Sequence, residues 1–239
     1  MGRVFLVRHA QASFLEPNYD KLSVTGEAQA RLLGEYWARH KIVFDRTCMG
    51  PRVRHRDTER AVRESYTRNG LTFPKSELCE GFDEFQGDVV LEKSLPHLIE
   101  TSSRIRELEV AVRNANSPPQ RRRNFQKLFE TVVTMWVSGE LAADGVESWE
   151  AFTSRVNRGL SQFLSGASKS ETCAIFTSGG PVAVSVQRAL HLSPQDTLQV
   201  AWMPRNCSYS EFLFSGDRFT LSTFNSFQHL DDPALLTYR

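Results

Sequence analysis

Short continuous apolar runs alternate along the chain with longer segments whose apolar residues recur at helical spacing. The first run, Val4 to Val7, is β-branched and aromatic and gives way to polar residues from Arg8 to Ser13. This pattern predicts a buried strand that ends in a loop. Ser23 then precedes a segment whose apolar residues share one helical face, which predicts a helix with Ser23 as its N-cap. Those residues are Ala28, Leu32, Leu33, Tyr36 and Trp37.

The same order of strand, loop and helix recurs twice. Residues 43–49 predict a strand, and Gly50 and Pro51 lead into a helix that runs to about Tyr66. After a predicted helix at 149–164, residues 172–176 form another apolar run, followed by a turn over 177–181 and a helix over 182–190. Such alternation is typical of a wound, mostly parallel sheet. Two alternating runs at 209–214 and 218–224 flank Ser215 to Asp217 and predict a closing hairpin.

Residues from about 89 to 136 show no strand pattern. They look helical at both ends and are interrupted at 114–119, so we expect a helical insertion at about 89–147, lying over the sheet. A chain of 239 residues favours one elaborated domain over two small ones. The predicted fold is therefore α/β and three-layered, a mostly parallel central sheet flanked by helices, with a single domain over 1–239 that carries the insertion.

Composition narrows the classes of partner. The chain is 40% hydrophobic and 24% charged, the balance of a folded soluble protein, and its net charge of +1 gives no general attraction to nucleic acid or an anionic membrane. No apolar run approaches the roughly 18 residues of a membrane span, and the first run is too short for a signal peptide, so we expect a cytoplasmic protein. The four cysteines lack zinc-ligand spacing and are expected to be reduced. Three arginines at 121–123 are expected in a solvated loop without function.

Three predicted strand ends carry polar residues suited to binding phosphate. Arg8 follows the first, Arg54 follows the second, and Ser178, Gly179 and Gly180 follow a third at a helix start. Ligands of open α/β sheets bind at such ends, arginine supplies planar donors that stay charged, and a helix N-terminus supplies free amides. The sequence therefore predicts a phosphate site.

His9 and a nearby acid can supply chemistry at this site. Neighbouring guanidiniums disfavour a protonated imidazole, which keeps His9 available as a covalent nucleophile. The leaving oxygen needs a proton. By order along the chain Glu84 is the best-placed acid, with Glu80 and Asp83 as rivals.

These segments together resemble the histidine phosphatase superfamily, in its phosphoglycerate mutase-like group. Residues 6–10 look like its Arg-His-Gly signature, with Ala10 in place of glycine, and residues 22–30 resemble its first helix. Residues 50–58 resemble its Ser-Pro-Leu-x-Arg segment, which assigns the second phosphate-binding arginine to Arg54. Residues 82–84 are similar to the segment that carries the acid, and this likeness favours Glu84. The resemblance covers most of the chain.

One core position departs from the family pattern. Ser178 stands where the family has its second active-site histidine before two glycines. A serine hydroxyl can still donate to a phosphoryl oxygen, but a neutral bond contributes about 0.5–1.5 kcal/mol against about 1.5–3 kcal/mol for a charged donor. We hypothesise that His229 reaches back to supply the missing imidazole. The other histidines, at 40, 55, 97 and 191, enter no prediction.

Three functions fit these residues. The first is a metal-independent phosphomonoesterase without a cofactor, acting through a phosphohistidine on His9 on a phosphorylated small molecule or phosphoprotein. The second is a binding protein that keeps the phosphate pocket but has little or no turnover. A phosphoglycerate-type mutase ranks below both, because mutases normally keep the second histidine. Sugar phosphates, nucleotides and phosphoproteins all remain compatible substrates, and the oligomeric state is open.

Overall fold

A computed structural model describes residues 1–13, 20–142 and 144–238, which form two compact units. The first unit comprises Met1–Glu84 and Arg155–Arg239, and the second comprises Phe85–Ser154. Organisation as a single domain with an insertion stays a prediction. Among the described helices, none is both long and apolar enough to cross a membrane.

A six-stranded sheet forms the centre of the first unit. The strands are β1 (Gly2–Arg8), β2 (Arg46–Met49), β3 (Glu77–Leu78), β4 (Thr172–Thr177), β5 (Tyr209–Ser215) and β6 (Arg218–Ser226). Their order is β3-β2-β4-β1-β5-β6. The first four strands pair in parallel, and β5 is antiparallel to both of its neighbours, β1 and β6. The predicted hairpin is confirmed, and its turn contains Gly216 at a φ of 58°. The α/β fold with a mostly parallel sheet flanked by helices is therefore confirmed.

Eight α-helices are described. They are α1 (Val24–Arg39), α2 (Val53–Arg68), α3 (Gly87–Thr101), α4 (Ser103–Arg113), α5 (Pro118–Val137), α6 (Trp149–Leu164), α7 (Gly179–Leu190) and α8 (Pro194–Ala201). Ser23 caps α1 as predicted, since its Oγ accepts from the backbone N–H of Gly26 at 3.0 Å. Short 3-10 turns cover Glu80–Phe82 and Pro233–Leu235.

The core of the first unit fixes β1 and β4 at its centre. β4 is buried along its whole length, because it pairs with β1 on one side and β2 on the other. The ring of Phe5 meets the rings of Trp37 and Phe44 edge-on, at centroid distances of 5.9 and 5.8 Å. This packing ties the strand that precedes His9 to helix α1.

The second unit is helical, and no strand occurs among its described residues. Phe85 stacks on Trp136 at 5.7 Å and meets Phe152 edge-on at the same distance. The arginines at 121–123 are exposed, but they lie inside α5 and not in a loop. The loop prediction is wrong because Pro118 opens a helix there: proline is favoured at the first helical position, where its missing N–H costs nothing.

Several boundaries differ from the predicted ones. β2 is shorter than residues 43–49, and α7 begins at Gly179 and not at Val182. Pro181 is accepted in the first turn of α7, because an N–H there has no partner within the helix. The pattern also missed β3, whose two residues are exposed, and α8, which follows a Ser193 cap.

Candidate functional site

His9 lies directly after β1, where its backbone N–H donates to the carbonyl of Thr177 at the end of β4 at 2.7 Å. Its side chain is mostly buried, and Nδ1 lies 2.8 Å from the carbonyl oxygen of Ala10. Because a carbonyl oxygen can only accept, Nδ1 carries the hydrogen in this contact. In the neutral ring, Nε2 then keeps its lone pair and can act as a nucleophile.

The surroundings of His9 favour that neutral ring. Burial lowers the pKa of His9 well below its usual value, and the positive charges of Arg54 and Arg8 lower it further. A smaller contribution comes from His55. His9 is therefore unprotonated at neutral pH, as the sequence predicted for a nucleophile beside guanidiniums.

Arg54 lies in the first turn of α2 and is nearly buried. Its Nη1 donates to Oδ1 of Asp20 at 2.7 Å, and Oδ2 of the same carboxylate accepts from the backbone N–H of Val53 at 2.7 Å. The Nε of Arg54 is buried without a hydrogen-bond partner in the described part of the chain. Arg54 thus retains a donor for an incoming anion, and Asp20 is a neighbour that the sequence did not predict.

Arg8 uses two guanidinium nitrogens on backbone carbonyls. Nη1 donates to the carbonyl of Pro204, and Nη2 donates to that of Tyr238 at 2.8 Å. The positive charge of Arg8 still lowers the pKa of His9. Arg8 also lies near the start of α7, since a Cβ added to Gly179 would be 4.0 Å from the Nε of Arg8. Arg8 therefore lies near the site, with part of its donor capacity taken by the C-terminal region.

The start of α7 brings Gly179 and Gly180 to the site. A Cβ at Gly179 would lie 2.9 Å from the carbonyl oxygen of Ala201, so the close approach of α8 requires glycine there. The backbone N–H of Gly180 donates to Oε2 of Glu84 at 3.2 Å. A carboxylate therefore contacts an amide that was predicted to bind phosphate.

The three candidate acids have different surroundings. Oδ1 of Asp83 accepts from Nε of Arg52 at 2.5 Å, which holds that carboxylate in an ion pair. Glu80 is exposed. Among the described residues, Glu84 is the candidate acid that contacts a predicted phosphate-binding group, so the geometry favours it over its rivals.

Ser178 lies at the N-cap position of α7 and is fully buried, but its side chain does not cap the helix. Its Oγ lies 2.6 Å from Nε2 of His55. The His55 ring is fully buried, and its centroid is 5.9 Å from that of His9. Burial, followed by the charges of Arg54 and Arg52, lowers the pKa of His55 well below its usual value.

His55 is the residue that sequence reasoning missed. It lies inside the segment at 50–58 that resembles the family, but none of the roles implied by that resemblance falls on it. The available signal was its position: it follows Arg54 directly, in a chain that lacks the second histidine expected at 178.

His229 lies in a different environment from the one hypothesised. Its ring stacks near Tyr209 at 6.4 Å and lies 6.2 Å from the ring of Tyr36. Neither ring nitrogen makes a hydrogen bond with the described residues, and burial lowers the pKa of His229 to about 3. No hydrogen bond or ring contact in the described part of the chain joins it to His9, Arg54 or Ser178. Its role in binding stays a prediction without geometric support.

The described residues contain no group of three or more His, Cys, Asp and Glu side chains that could hold a metal ion. What the site offers is a neutral imidazole nitrogen, a guanidinium with a buried open donor, a helix N-terminus and a carboxyl group. This set can bind an anion, accept a phosphoryl group on nitrogen and exchange a proton with a leaving oxygen.

The family model for the histidine phosphatase superfamily (branch 1) matches residues 89–226. No curated protein matches the chain at a significant level.

Several solved structures share the fold at low sequence identity. A phosphoglycerate mutase from Bacillus anthracis is 15% identical, with 95% of this chain and 94% of that chain covered and a TM-score of 0.61. A phosphoserine phosphatase variant from Entamoeba histolytica in complex with phosphoserine is 16% identical, covering 96% and 100%, with a TM-score of 0.61. A mycobacterial glucosyl-3-phosphoglycerate phosphatase is 15% identical, covering 94% and 98%, with a TM-score of 0.59.

Proposed function

Because the chain belongs to the histidine phosphatase superfamily, we propose that it is a metal-independent phosphomonoesterase that works through a phosphohistidine on His9. The observation that carries this proposal is the bond from Nδ1 of His9 to the carbonyl of Ala10, which leaves Nε2 free to attack phosphorus. The lowered pKa of the buried ring supports the same role. The phosphatases among the structures that share the fold are consistent with it.

In the proposed reaction the phosphate binds at Arg54 and at the amides of Gly179 and Gly180, with the charge of Arg8 nearby. Nε2 of His9 forms a bond to phosphorus while the bond to the leaving oxygen breaks, and Glu84 in its acid form gives that oxygen a proton. Water then attacks the phosphorus and gives a proton to the Glu84 carboxylate. The P–N bond breaks, phosphate leaves, and His9 returns to its starting form.

Release of p-nitrophenol from p-nitrophenyl phosphate, with EDTA present, tests this function. The purified protein is compared with His9→Ala and with His40→Ala, a control that changes an exposed histidine at the end of α1. We expect turnover that resists EDTA, falls to background in His9→Ala and persists in His40→Ala. A phosphoryl group that is trapped during turnover, stable to alkali and labile to acid should appear on the wild type and on His40→Ala, and not on His9→Ala. Equal turnover in His9→Ala would refute the nucleophile.

A second candidate function is a phosphate-ester or phosphoprotein binding protein with little turnover. It is favoured by serine at 178, where we propose that this branch of the family has lost its second histidine, and by the carbonyls that engage Arg8. Such a protein would bind inorganic phosphate saturably and form no phosphohistidine. A mutase, by contrast, would need a phosphorylated primer. We also propose a cytoplasmic location and a phosphorylated small molecule or phosphoprotein as the ligand.

A further inference from the structure

Three residues near His9 depart from the family pattern or lie outside it, and they lie together. Gly50 stands at the serine of the Ser-Pro-Leu-x-Arg pattern, Ser178 stands at the second histidine, and His55 lies between them. A Cβ added to Gly50 would be 2.4 Å from Nδ1 of His55 and 2.6 Å from the carbonyl oxygen of Phe82. No side chain fits at position 50 while the His55 ring is in place. Glycine at 50 therefore leaves room for both the His55 ring and the Phe82 backbone.

The same exclusion applies on the other side of the ring. The Oγ of Ser178 is 2.6 Å from Nε2 of His55, and both side chains are fully buried. An imidazole at position 178 that took the direction of this Oγ would meet the His55 ring. A histidine at 178 and the present His55 thus compete for one space, so serine at 178 and glycine at 50 are both conditions for an imidazole that enters from α2.

Among the described residues, His55 is the hydrogen-bond partner of the Ser178 hydroxyl. A serine at an N-cap commonly accepts a bond from an amide of the first helical turn, and this one makes no such bond. It is directed to His55 instead, at the helix start where the amides of Gly179 and Gly180 were predicted to bind phosphate. When Nε2 of His55 carries the hydrogen of this contact, the hydroxyl hydrogen of Ser178 is available to an anion bound there.

We propose that His55 is a positioning residue that, together with Ser178, replaces the second active-site histidine of the family. The inference rests on the proposed phosphatase function. With a phosphoryl group on or beside His9, Nε2–H of His55 donates to Oγ of Ser178, and the hydroxyl of Ser178 donates to a phosphoryl oxygen. A donor that is itself hydrogen-bonded in a buried site is a stronger donor, because successive bonds polarise one another. The pair thereby recovers part of the hydrogen-bond strength by which a lone serine is a weaker donor than a histidine.

Steady-state kinetics on p-nitrophenyl phosphate test this role in His55→Ala, His55→Gln and the control Arg56→Ala. Arg56 is exposed on the same helix turn. Partners that orient a ligand-contacting group are typically worth about 10–100-fold, so we expect kcat to fall about that much in His55→Ala with little change in KM. Glutamine keeps an N–H donor near the place of Nε2, so His55→Gln should retain more activity than His55→Ala. Arg56→Ala should match the wild type.

The reciprocal exchange is a sharper test, because a merely structural role of His55 would not produce it. The double variant His55→Ala, Ser178→His places an imidazole at the family's position and should exceed the kcat of His55→Ala at least tenfold. Ser178→His alone, which crowds two rings into one space, should be less active than the double variant. Thermal unfolding followed by circular dichroism identifies any variant that is not folded.

Vanadate binding to the wild type separates the possible failures. Wild-type turnover with unchanged kcat in a folded His55→Ala would overturn the role of His55 and leave the phosphatase intact. So would a folded double variant no better than His55→Ala. A wild type that neither binds vanadate nor releases p-nitrophenol would remove the phosphatase function, and the role of His55 with it.

Discussion

Thr58 joins the loop that carries His9 to the helix that carries Arg54, and its hydroxyl offers a test of the site's construction. Its Oγ1 accepts from the backbone N–H of Ala10 at 3.0 Å and donates to the carbonyl of Arg54 at 2.7 Å. Both Thr58 and Ala10 are fully buried. The carbonyl of Ala10 in turn accepts from Nδ1 of His9. Loss of this hydroxyl should therefore affect both stability and catalysis.

The expected loss in the free energy of unfolding depends on which buried polar groups each variant leaves without a hydrogen-bond partner. Thr58→Val keeps the shape of the side chain but removes the acceptor of a buried amide, which costs about 1–3 kcal/mol. The carbonyl of Arg54 loses less, because it lies inside a helix and can accept from the backbone. Thr58→Ser keeps the hydroxyl and removes a methyl group, a loss of about 0.8 kcal/mol. We expect Thr58→Val to be the less stable of the two, although it buries more apolar surface.

Urea unfolding of the wild type and both variants gives the three free energies of unfolding, and p-nitrophenyl phosphate gives their kcat. We expect the kcat of Thr58→Val to fall as well. The carbonyl of Ala10 orients His9, and the backbone N–H of Ala10 loses its hydrogen bond to residue 58 in this variant. If the two variants have the same free energy of unfolding, or if Thr58→Ser is the less stable, then the bond to Ala10 does not support this loop.

Three further outcomes are expected. Asp20→Asn should bind inorganic phosphate about fivefold more tightly by calorimetry, because it removes a negative charge that faces Arg54. Cys79 should react fastest with Ellman's reagent, and more slowly in Cys48→Ala, because a hydrogen bond from Cys48 lowers its pKa. Because burial lowers the pKa of His229 to about 3, its neutral ring costs the fold nothing above about pH 6.5, and stability is lost as the pH falls from there towards 3. Near pH 4.5, His229→Phe should therefore recover about 2–3 kcal/mol relative to the wild type in urea unfolding.

Local pattern was sufficient for the central elements of the fold and insufficient for its edges. β1 and β4 could be predicted because a strand buried on both faces is a continuous apolar run, and Ser23 could be predicted as a cap from its position alone. β3 has two exposed residues and no pattern to detect. The start of α7 was placed too late because proline was taken as a boundary, whereas the first helical turn accepts it.

The site was predictable in its residue types and not in its pairings. Arg8, His9, Arg54 and Glu84 follow from strand ends and from motifs. The partner of His55 is Ser178, 123 positions away, and only the folded chain brings them together. No local pattern indicates that backbone carbonyls at 204 and 238 engage Arg8. Such pairings depend on tertiary contacts, which a single sequence does not encode at fixed spacing.

These pairings have a consequence for how a phosphate would enter. Arg54 bonds to the carboxylate of Asp20, and the amide of Gly180 bonds to that of Glu84. Two donors predicted to bind phosphate are thus already paired with negative groups of the protein, as buried charges and amides require. Binding of a dianion is then an exchange, and its affinity is the difference between two sets of bonds.

The exchange acts differently on the two carboxylates. Asp20 also accepts from the backbone of Val53, so it can keep one partner when Arg54 turns to the phosphate. Glu84 gives up the amide of Gly180 and then faces a new negative charge, and both changes favour its protonated form. In the proposed reaction that form is the one that protonates the leaving oxygen. Arrival of the dianion would therefore prepare the acid, so a substrate with a dianionic phosphate should turn over faster than a monoanionic diester that fits the same site.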